Sequence, residues 1–523
     1  MSTTSISYIA FVVAFCSMAY EIIFAQQLSE LTGNPYVWEG LAIAFYIAGM
    51  GAGSYKYSQV DTLHPIRNFY RLELALGIFA AFCPIIVDAL QIVYRIYSFN
   101  SGGLLPSNQF LSPVSLFGLS CCPIIFCIGY LTGVEFSIIL EKSKNTLVVL
   151  SVYNFGLFAA AITFANLGHL IAPYKTFPIV ASLNIALALF VLNKAKSLVS
   201  RTLSATFIIG VLLVTTTIGT YIEELQLKNF YLNSDEFLAP SHGKLQTKET
   251  RSIFKWINES SSYTPVDRIR SPYQIIDIVE NEEPQMFING RFQVSRDTAA
   301  SYHQPFSQVP QKIFSQNNLA SILVLGGGDG ILVKELLRSS KASITVIELD
   351  ERVVNLANTS PWLTSLNSHS LQSPRVNLKY ADAFAELRSS GQLYDAIYID
   401  ITYPFDFDSA RFYSYEFLRL VSKNLTKEGF FTVGLPLDPK PHDMFAKTVY
   451  STLYKAGFRS MFSFKGDIDS FLTASTSKVK FDEKRIFLEG MKIDISKMHG
   501  TFEQKFVHSL FRPKFYGTGD PFY

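Results

Sequence analysis

Cysteine is absent from residues 223–523, because all five cysteines of the chain lie among its first 127 residues. A domain without cysteine has no disulfide framework and no thiolate zinc site. The chain also lacks an excess of either charge, since 45 Lys and Arg residues stand against 43 Asp and Glu residues, with a formal net charge of +2. This balance argues against a protein whose main task is to bind nucleic acid.

Charge of either sign is scarce before residue 223, where 10 basic and 8 acidic residues occur, compared with 35 of each from there on. The later region has the composition of an ordinary globular domain. The earlier one is apolar enough for a membrane domain, and one membrane-spanning helix needs roughly 20 mostly apolar residues. We therefore predict about seven transmembrane helices in residues 1–222, at about 8–27, 37–55, 73–93, 112–140, 147–170, 175–193 and 204–222.

Basic residues are unevenly distributed between the loops of this region. Three alternate loops contain most of them, namely Lys56, Arg67, Arg71, Lys142, Lys144, Lys194, Lys196 and Arg201, whereas the other loops contain Arg95 and Lys175. Lys and Arg accumulate in cytoplasmic loops, so we predict a cytoplasmic N-terminus. With seven spans, the second half of the chain would then emerge on the outer side.

Several polar residues fall within the predicted spans. Such residues can line a path for a substrate or a proton, or they can form hydrogen bonds that hold helices together. They are Glu21, Asp88, Glu135, Asn154, Asn166, His169 and Asn184.

Residues 223–265 are predicted to be a connector. Residues 266–300 alternate polar and apolar side chains on either side of a polar turn, which predicts a small β-domain containing a hairpin. Residues 301–480 combine buried strands with helices and predict an α/β domain of the Rossmann type. Residues 481–523 remain as a C-terminal tail.

A nucleotide-binding βαβ unit is indicated at the start of this α/β domain. A buried strand at 321–325 leads into the glycine-rich turn Gly326–Gly330, then a helix at 331–339 and a second strand at 343–347 that ends in Glu348. Glycines such as Gly326 and Gly328 let a ligand approach the backbone, and an acid at this distance can accept hydrogen bonds from a ribose. Asp329 would repel a pyrophosphate, so a ligand with a cationic sulfonium or amine end is favoured.

Four acidic residues follow strands of the predicted sheet: Asp329, Glu348, Asp382 and Asp400. Ligands of open α/β sheets bind at the carboxyl ends of the strands, so these side chains are expected to converge on one crevice. Each could instead cap a helix, but four such acids at successive strand ends favour a binding site.

The motifs of this region, taken in order, resemble those of the spermidine synthases, the polyamine aminopropyltransferases. They are Tyr273-Gln274, Ile288–Gln293, Arg296-Asp297, Tyr302-His303, Gly326–Gly330, Glu348–Asp350, Asp382-Ala383 and Asp400–Pro404. The apolar first half resembles the membrane-bound branch of that family. The resemblance implies transfer of an aminopropyl group from decarboxylated S-adenosylmethionine to an amine such as putrescine, with methylthioadenosine as product.

The resemblance also implies roles for individual residues. Gln274, Glu348, Asp382 and Ala383 would hold the nucleoside. Tyr302, His303 and Asp329 would line the aminopropyl and amine side, and Asp400 would be the base. Tyr403 is expected on the amine side as well, although it departs from the family pattern. No metal and no tightly bound cofactor is needed.

The acceptor side departs from the family pattern. The family has a second Asp three residues after the base, where this chain has Tyr403. A phenol supplies no charge to a distal ammonium group, so weaker diamine binding is expected unless Asp406 or Asp408 replaces the acid. The later stretch that contacts polyamine in the family is Ser463–Asp467 here.

Two alternatives remain open at this point. The chain could catalyse another reaction of an S-adenosylmethionine-type ligand, such as methyl transfer or elimination, or it could be a transporter or sensor with a nucleoside-binding domain. The expected partners are amine and nucleoside substrates, a lipid bilayer and a second copy of the chain. The expected location is a bacterial inner membrane. The cosubstrate is cytosolic, which conflicts with an outer position for the soluble domain, so one span is miscounted or that domain uses no cytosolic cosubstrate.

Overall fold

The structure is a computed structural model that describes residues 3–32, 35–59, 65–100, 113–192, 198–232, 266–280, 283–315, 319–401, 403, 407–435, 444–466, 469–481 and 484–511. The predicted connector from residue 233 on and Asp406 lie outside this range, as do the side chains of Asp408 and His169. The chain forms two compact units, one reaching to Val279 and one spanning Glu280–Phe522.

Over the described ranges, the first unit contains seven long helices close to the predicted positions. They are α1 (Thr3–Thr32), α2 (Pro35–Ser58), α3 (Pro65–Asn100), α4 (Pro113–Glu141), α5 (Thr146–Leu167), α6 (Pro173–Leu192) and α7 (Leu198–Leu232). Within the described residues, 5 helices are long and apolar enough to cross a membrane, namely α1, α3, α4, α5 and α7. Five of the seven predicted spans thus coincide with helices that meet both criteria, and the other two stay predictions.

Helices α2 and α4 pack closely through glycine. A Cβ atom added at Gly49 or Gly53 would overlap backbone atoms of α4, and one added at Gly133 would overlap the Met50 carbonyl. The glycine run at the end of α2 thus serves close helix packing, as its small size suggests.

The polar residues of the predicted spans divide into two groups. Asn184 is buried, accepts a 2.8 Å hydrogen bond from the Tyr20 hydroxyl and donates a 2.7 Å bond to the Glu73 carboxylate. Glu135 and Asp88 are also buried. Asn154 and Asn166 are exposed, so they do not belong to this polar interior.

A β-hairpin in the first unit is attached to the helices by ionic contacts. It consists of the antiparallel strands β1 (Val266–Arg270) and β2 (Ile275–Glu280). The fully buried Asp277 accepts two 2.7 Å hydrogen bonds from Arg268 and one from the Tyr231 hydroxyl of α7. Arg270 forms ion pairs with Glu30 of α1 at 2.7 Å and with Glu223 of α7 at 3.3 Å.

The second unit begins with the antiparallel strands β3 (Pro284–Ile288) and β4 (Arg291–Ser295) and the helix α8 (Arg296–Ile313). The strands of its main sheet are β5 (Ser321–Gly326), β6 (Ser343–Glu348), β7 (Val376–Tyr380), β8 (Tyr394–Asp400), β9 (Leu425–Leu435), β10 (Ser460–Lys465), β11 (Ser470–Ser475), β12 (Arg485–Leu488) and β13 (Met491–Lys497). Their order in the sheet is β12-β13-β10-β11-β9-β8-β5-β6-β7.

Strands β7, β6, β5, β8 and β9 are parallel, and the remaining strands continue the sheet in antiparallel fashion. The helices of this unit are α9 (Ile331–Ser339), α10 (Glu351–Thr359), α11 (Pro361–Asn367), α12 (Ala383–Ser389), α13 (Phe407–Ala410), α14 (Tyr415–Lys423) and α15 (Met444–Ala456). Apolar side chains of both sheet faces are buried beneath such helices, which accounts for the uninterrupted apolar runs of β5, β6 and β8. The predicted Rossmann-like fold is therefore confirmed. Strands β12 and β13 lie within residues 481–523, which were predicted to be a tail, and they extend the sheet.

Candidate active site

The glycine-rich turn after β5 brings two carboxylates to one place. Gly326, Gly327 and Gly330 have φ angles of +81°, +69° and +77°, which side chains rarely allow. A Cβ atom at Gly326 would overlap the carbonyl oxygen of Asp400, and one at Gly328 would lie 2.7 Å from Oε2 of Glu348. The turn is thus in close contact with the ends of both neighbouring strands.

Glu348 is fixed at the end of β6 by backbone groups. Its Oε2 accepts a 3.1 Å hydrogen bond from the Gly328 N–H, and its Oε1 accepts a 2.9 Å bond from the Asp350 N–H. Burial raises the pKa of Glu348 to about 7, although these backbone hydrogen bonds oppose the increase. The carboxylate borders the turn where a ribose is expected, and both of its oxygens retain capacity for further hydrogen bonds.

Three titratable groups meet at the end of β8. A ring nitrogen of His303, a carboxylate oxygen of Asp329 and a carboxylate oxygen of Asp400 all lie within 4.8 Å of one another. Burial raises the pKa of Asp400 to about 7; His303 opposes this increase, whereas Asp329 and Glu348 add to it. A pair of carboxylates beside an imidazole suits an organic ammonium group and would also suit a divalent cation.

Helix α8 carries His303 and Tyr302 into this region. Its start is fixed by a capping contact, in which the Thr298 hydroxyl accepts a 3.0 Å hydrogen bond from the Ser295 N–H. Thr298 therefore has a structural role here. The Nδ1 atom of His303 lies 2.8 Å from the Ala299 carbonyl oxygen, so Nε2 is the ring nitrogen left for the carboxylates.

Tyrosines surround the glycine near the end of β9. A Cβ atom at Gly434 would lie 2.9 Å from the Tyr302 hydroxyl oxygen and 2.9 Å from Cε1 of Tyr403. The Tyr413 hydroxyl donates a 3.0 Å hydrogen bond to the Gly434 carbonyl. Glycine at this position leaves room for both phenol rings beside the strand.

Asp469 was missed by the sequence analysis and belongs to the same region. The hydroxyl of Tyr403 donates a 3.0 Å hydrogen bond to Oδ1 of Asp469. Burial raises the pKa of Asp469, and its charge is felt by Tyr302, whose own pKa is raised first by burial and then by Tyr403, Asp400 and Asp469. The only sequence signal was an acidic residue near the stretch that contacts polyamine in the family.

Asp382 and Ala383 lie at the end of β7, the next strand along the sheet. The Asp382 carboxylate caps α12 by accepting a 3.0 Å hydrogen bond from the Ala385 N–H, and it pairs with Arg411 at 3.2 Å. Asp382 thus has the helix-capping role that is the structural alternative for an acid at a strand end. The contact of Asp382 with adenine stays a prediction.

Gln274 lies in the first unit, just before β2. Its backbone carbonyl accepts a 3.0 Å hydrogen bond from the Ser271 N–H. Its nucleoside contact also stays a prediction.

Known proteins match the chain over most of its length. The spermine/spermidine synthase domain family matches residues 300–461. Polyamine aminopropyltransferase 2 of Ralstonia nicotianae is 26% identical over 470 residues, which cover 86% of this chain and 82% of that protein. The polyamine aminopropyltransferase of Oceanobacillus iheyensis is 26% identical over 453 residues, which cover 84% of this chain and 78% of that protein.

Two solved structures match a smaller part of the chain. A spermidine synthase in complex with the transition-state analogue AdoDATO has 23% identity, a TM-score of 0.37 and coverage of 40% of this chain and 74% of its own. The spermidine synthase of Thermotoga maritima has 23% identity, a TM-score of 0.34 and coverage of 40% and 72%.

Proposed function

Since the chain belongs to the spermine/spermidine synthase family of polyamine aminopropyltransferases, we propose that it transfers the aminopropyl group of decarboxylated S-adenosylmethionine to an amine such as putrescine, at a membrane. The observation that carries this proposal is the cluster of Asp400, Asp329 and His303 beside the glycine-rich turn. Membership of an enzyme family leaves the alternative of a non-enzymatic transporter or sensor without support.

The reaction needs one proton acceptor and two cation-binding regions. The acceptor nitrogen attacks the methylene carbon bonded to the sulfonium sulfur. The carbon–sulfur bond breaks, its electron pair stays on sulfur, and methylthioadenosine leaves as a neutral thioether. The nitrogen gives up its proton to the Asp400 carboxylate.

The environment of Asp400 suits a general base. A free alkylamine has a pKa near 10 and is protonated at neutral pH. A carboxylate whose pKa is raised to about 7 takes up a proton more readily than an ordinary one with a pKa near 4. Asp329 and Asp400 together favour two cationic substrates in adjacent positions, and this alignment reduces the entropic cost of the reaction.

Glu348 and the turn Gly326–Gly330 form the nucleoside side of the proposed site. The Glu348 carboxylate would accept hydrogen bonds from the ribose hydroxyls, and the backbone of Gly328 leaves the ligand room to approach. Gln274, Asp382 and Ala383 would complete the contacts to adenosine.

The test is a reaction of the full-length protein in detergent with decarboxylated S-adenosylmethionine and putrescine. We expect equal amounts of methylthioadenosine and aminopropylated amine, measured by mass spectrometry. A parallel reaction with S-adenosylmethionine tests the alternative function, methyl transfer or elimination, which is motivated by Tyr403 in place of the family's acid. If the products are a methylated amine, or a nucleoside cleaved without an acceptor, the function is methyl transfer or elimination and not aminopropyl transfer.

We also propose that the protein is a multi-pass protein of a bacterial inner membrane, supported by its five sufficiently long apolar helices. Seven spans and five spans are both odd, so either number separates the two ends of the chain across the bilayer. A reporter fused to Tyr523 would identify the side on which the C-terminus lies. Two copies of the chain are expected to associate, which light scattering of the purified protein would test.

A further inference from the structure

We propose that Asp469, held by the Tyr403 hydroxyl, binds the distal ammonium group of a diamine acceptor and so supplies the acidic group missing at position 403. This inference rests on the proposed function and specifies the acceptor of the same site. It assigns the acid to a different strand from the one that ends in the base.

The register of the sheet brings Asp469 towards the tyrosine cluster. Asp469 directly precedes β11, which pairs with β9 so that Ser470 lies opposite Leu435 and Phe471 lies opposite Gly434. Gly434 is the residue beside which the Tyr302 and Tyr403 rings lie. The start of β11 and the residues that follow Asp400 therefore reach the same end of the sheet.

No lysine or arginine among the described residues forms an ion pair with the Asp469 carboxylate. Its Oδ1 accepts a hydrogen bond from the neutral Tyr403 phenol at 3.0 Å. Burial raises the pKa of Asp469, whereas the hydrogen bond from Tyr403 and the charge of His303 oppose this increase. A partly buried carboxylate is costly unless a cation or several donors compensate it, so a cationic ligand would stabilise this site.

The surrounding phenols favour an ammonium group. Tyr302, Tyr403 and Tyr413 all have pKa values raised by burial, so they remain neutral at any physiological pH. The three phenols lie around Gly434, and an alkylammonium group is attracted both to aromatic rings and to a carboxylate. Neutral phenols thus add affinity for a cation without competing for the charge of Asp469.

Two carboxylates then divide the work on one acceptor. Asp400 takes the proton from the attacking nitrogen, and Asp469 holds the nitrogen at the other end. The preferred acceptor class is accordingly a short primary diamine, because a monoamine lacks the second ammonium group.

The test compares Asp469→Asn with the unaltered full-length protein in detergent, using putrescine and n-butylamine as acceptors. Loss of one charged hydrogen bond should raise the KM for putrescine at least about tenfold and leave kcat within about threefold. The KM for n-butylamine should stay unchanged, since it makes no use of the distal carboxylate. Tyr403→Phe should raise the KM for putrescine by a smaller factor, because it removes only the hydrogen bond that orients Asp469.

Asp494→Asn is the matched control, since Asp494 is an exposed carboxylate on β13 paired with Arg485. It should leave both KM values unchanged. An unchanged putrescine KM in Asp469→Asn, or an equal rise for putrescine and n-butylamine, would overturn the assignment of Asp469. Absence of aminopropyl transfer by the unaltered protein to any amine would instead overturn the proposed function, so the two failures are distinguishable.

Discussion

Gly326 and Asp400 are partners in the parallel pairing of β5 and β8, and the Gly327 N–H donates a 3.1 Å hydrogen bond to the Asp400 carbonyl. The residue that starts the turn proposed to bind the nucleoside is therefore in direct contact with the proposed base. Any side chain at position 326 would disturb both halves of the site at once.

Gly326→Ala tests this contact. A left-handed φ costs an alanine about 1–2 kcal/mol, and the overlap with the Asp400 carbonyl should add roughly 1–3 kcal/mol. Gly391→Ala is the matched control, because Gly391 also has a positive φ, of +60°, but no atom lies within 4 Å of an added Cβ. Thermal unfolding should show a clearly larger loss for Gly326→Ala, and an equal loss in both variants would contradict the close contact.

Asp400→Asn separates catalysis from binding. General base catalysis contributes about 10²–10⁴-fold, and an amide cannot take up a proton at neutral pH. Turnover should fall at least about a hundredfold, while methylthioadenosine affinity measured by calorimetry stays nearly unchanged. If Asp400 only caps the following turn, Asn would substitute well and turnover would be preserved.

The pH dependence of kcat/KM should report the raised pKa of Asp400. Because the base acts in its charged form, kcat/KM should rise with pH and level off above about 7. Residual activity of Asp400→Asn should lack this rise. Glu348→Gln serves as the control, since Glu348 also has a pKa of about 7 but is proposed only to bind ribose. The rising limb should persist in this variant at a somewhat lower pH, because the Glu348 charge contributes to the raised pKa of Asp400. Loss of the limb in this variant would assign it to Glu348 instead.

Chelation distinguishes the two kinds of cation that the His303, Asp329 and Asp400 cluster could hold. The proposed reaction needs no Lewis acid, since the leaving group is already a neutral thioether. Incubation with EDTA followed by desalting should leave turnover within about twofold. Inactivation by EDTA that added Mg²⁺ or Zn²⁺ reverses would identify the cluster as a metal site.

Much of this architecture follows from local sequence signals. Apolar runs of strand length around Gly326–Gly330 define β5 and β6, and a carboxylate at the end of a buried run defines the position of Asp400. Sequence separation limits the rest. Tyr403 and Asp469 are 66 residues apart and Arg270 and Glu30 are 240 apart, so both pairs depend on strand order and helix packing that no short motif encodes.

Tyr403 also illustrates that local sequence signals do not reveal contacts between distant parts of the chain. Tyr403 stands where the family pattern implies an acid, and the sequence offered only the nearby Asp406 and Asp408 as substitutes for it. The pairing of β9 with β11 introduces a third possibility from a distant part of the chain. Comparison of neighbouring positions cannot detect a replacement across strands.

The ion pairs of the β1–β2 hairpin restrict how a water-soluble form of this protein could be engineered. A fragment that starts at Val266 would keep Arg270 and Asp277 but lose Glu30, Glu223 and Tyr231, which leaves a buried carboxylate and a guanidinium with fewer partners. A fragment that starts at Glu280 avoids this loss, but it discards Gln274 and with it an implied nucleoside contact. Truncation to remove the long apolar helices therefore trades folding against the implied nucleoside contact, and stabilising the intact chain in nanodiscs is the sounder route to crystals or kinetics.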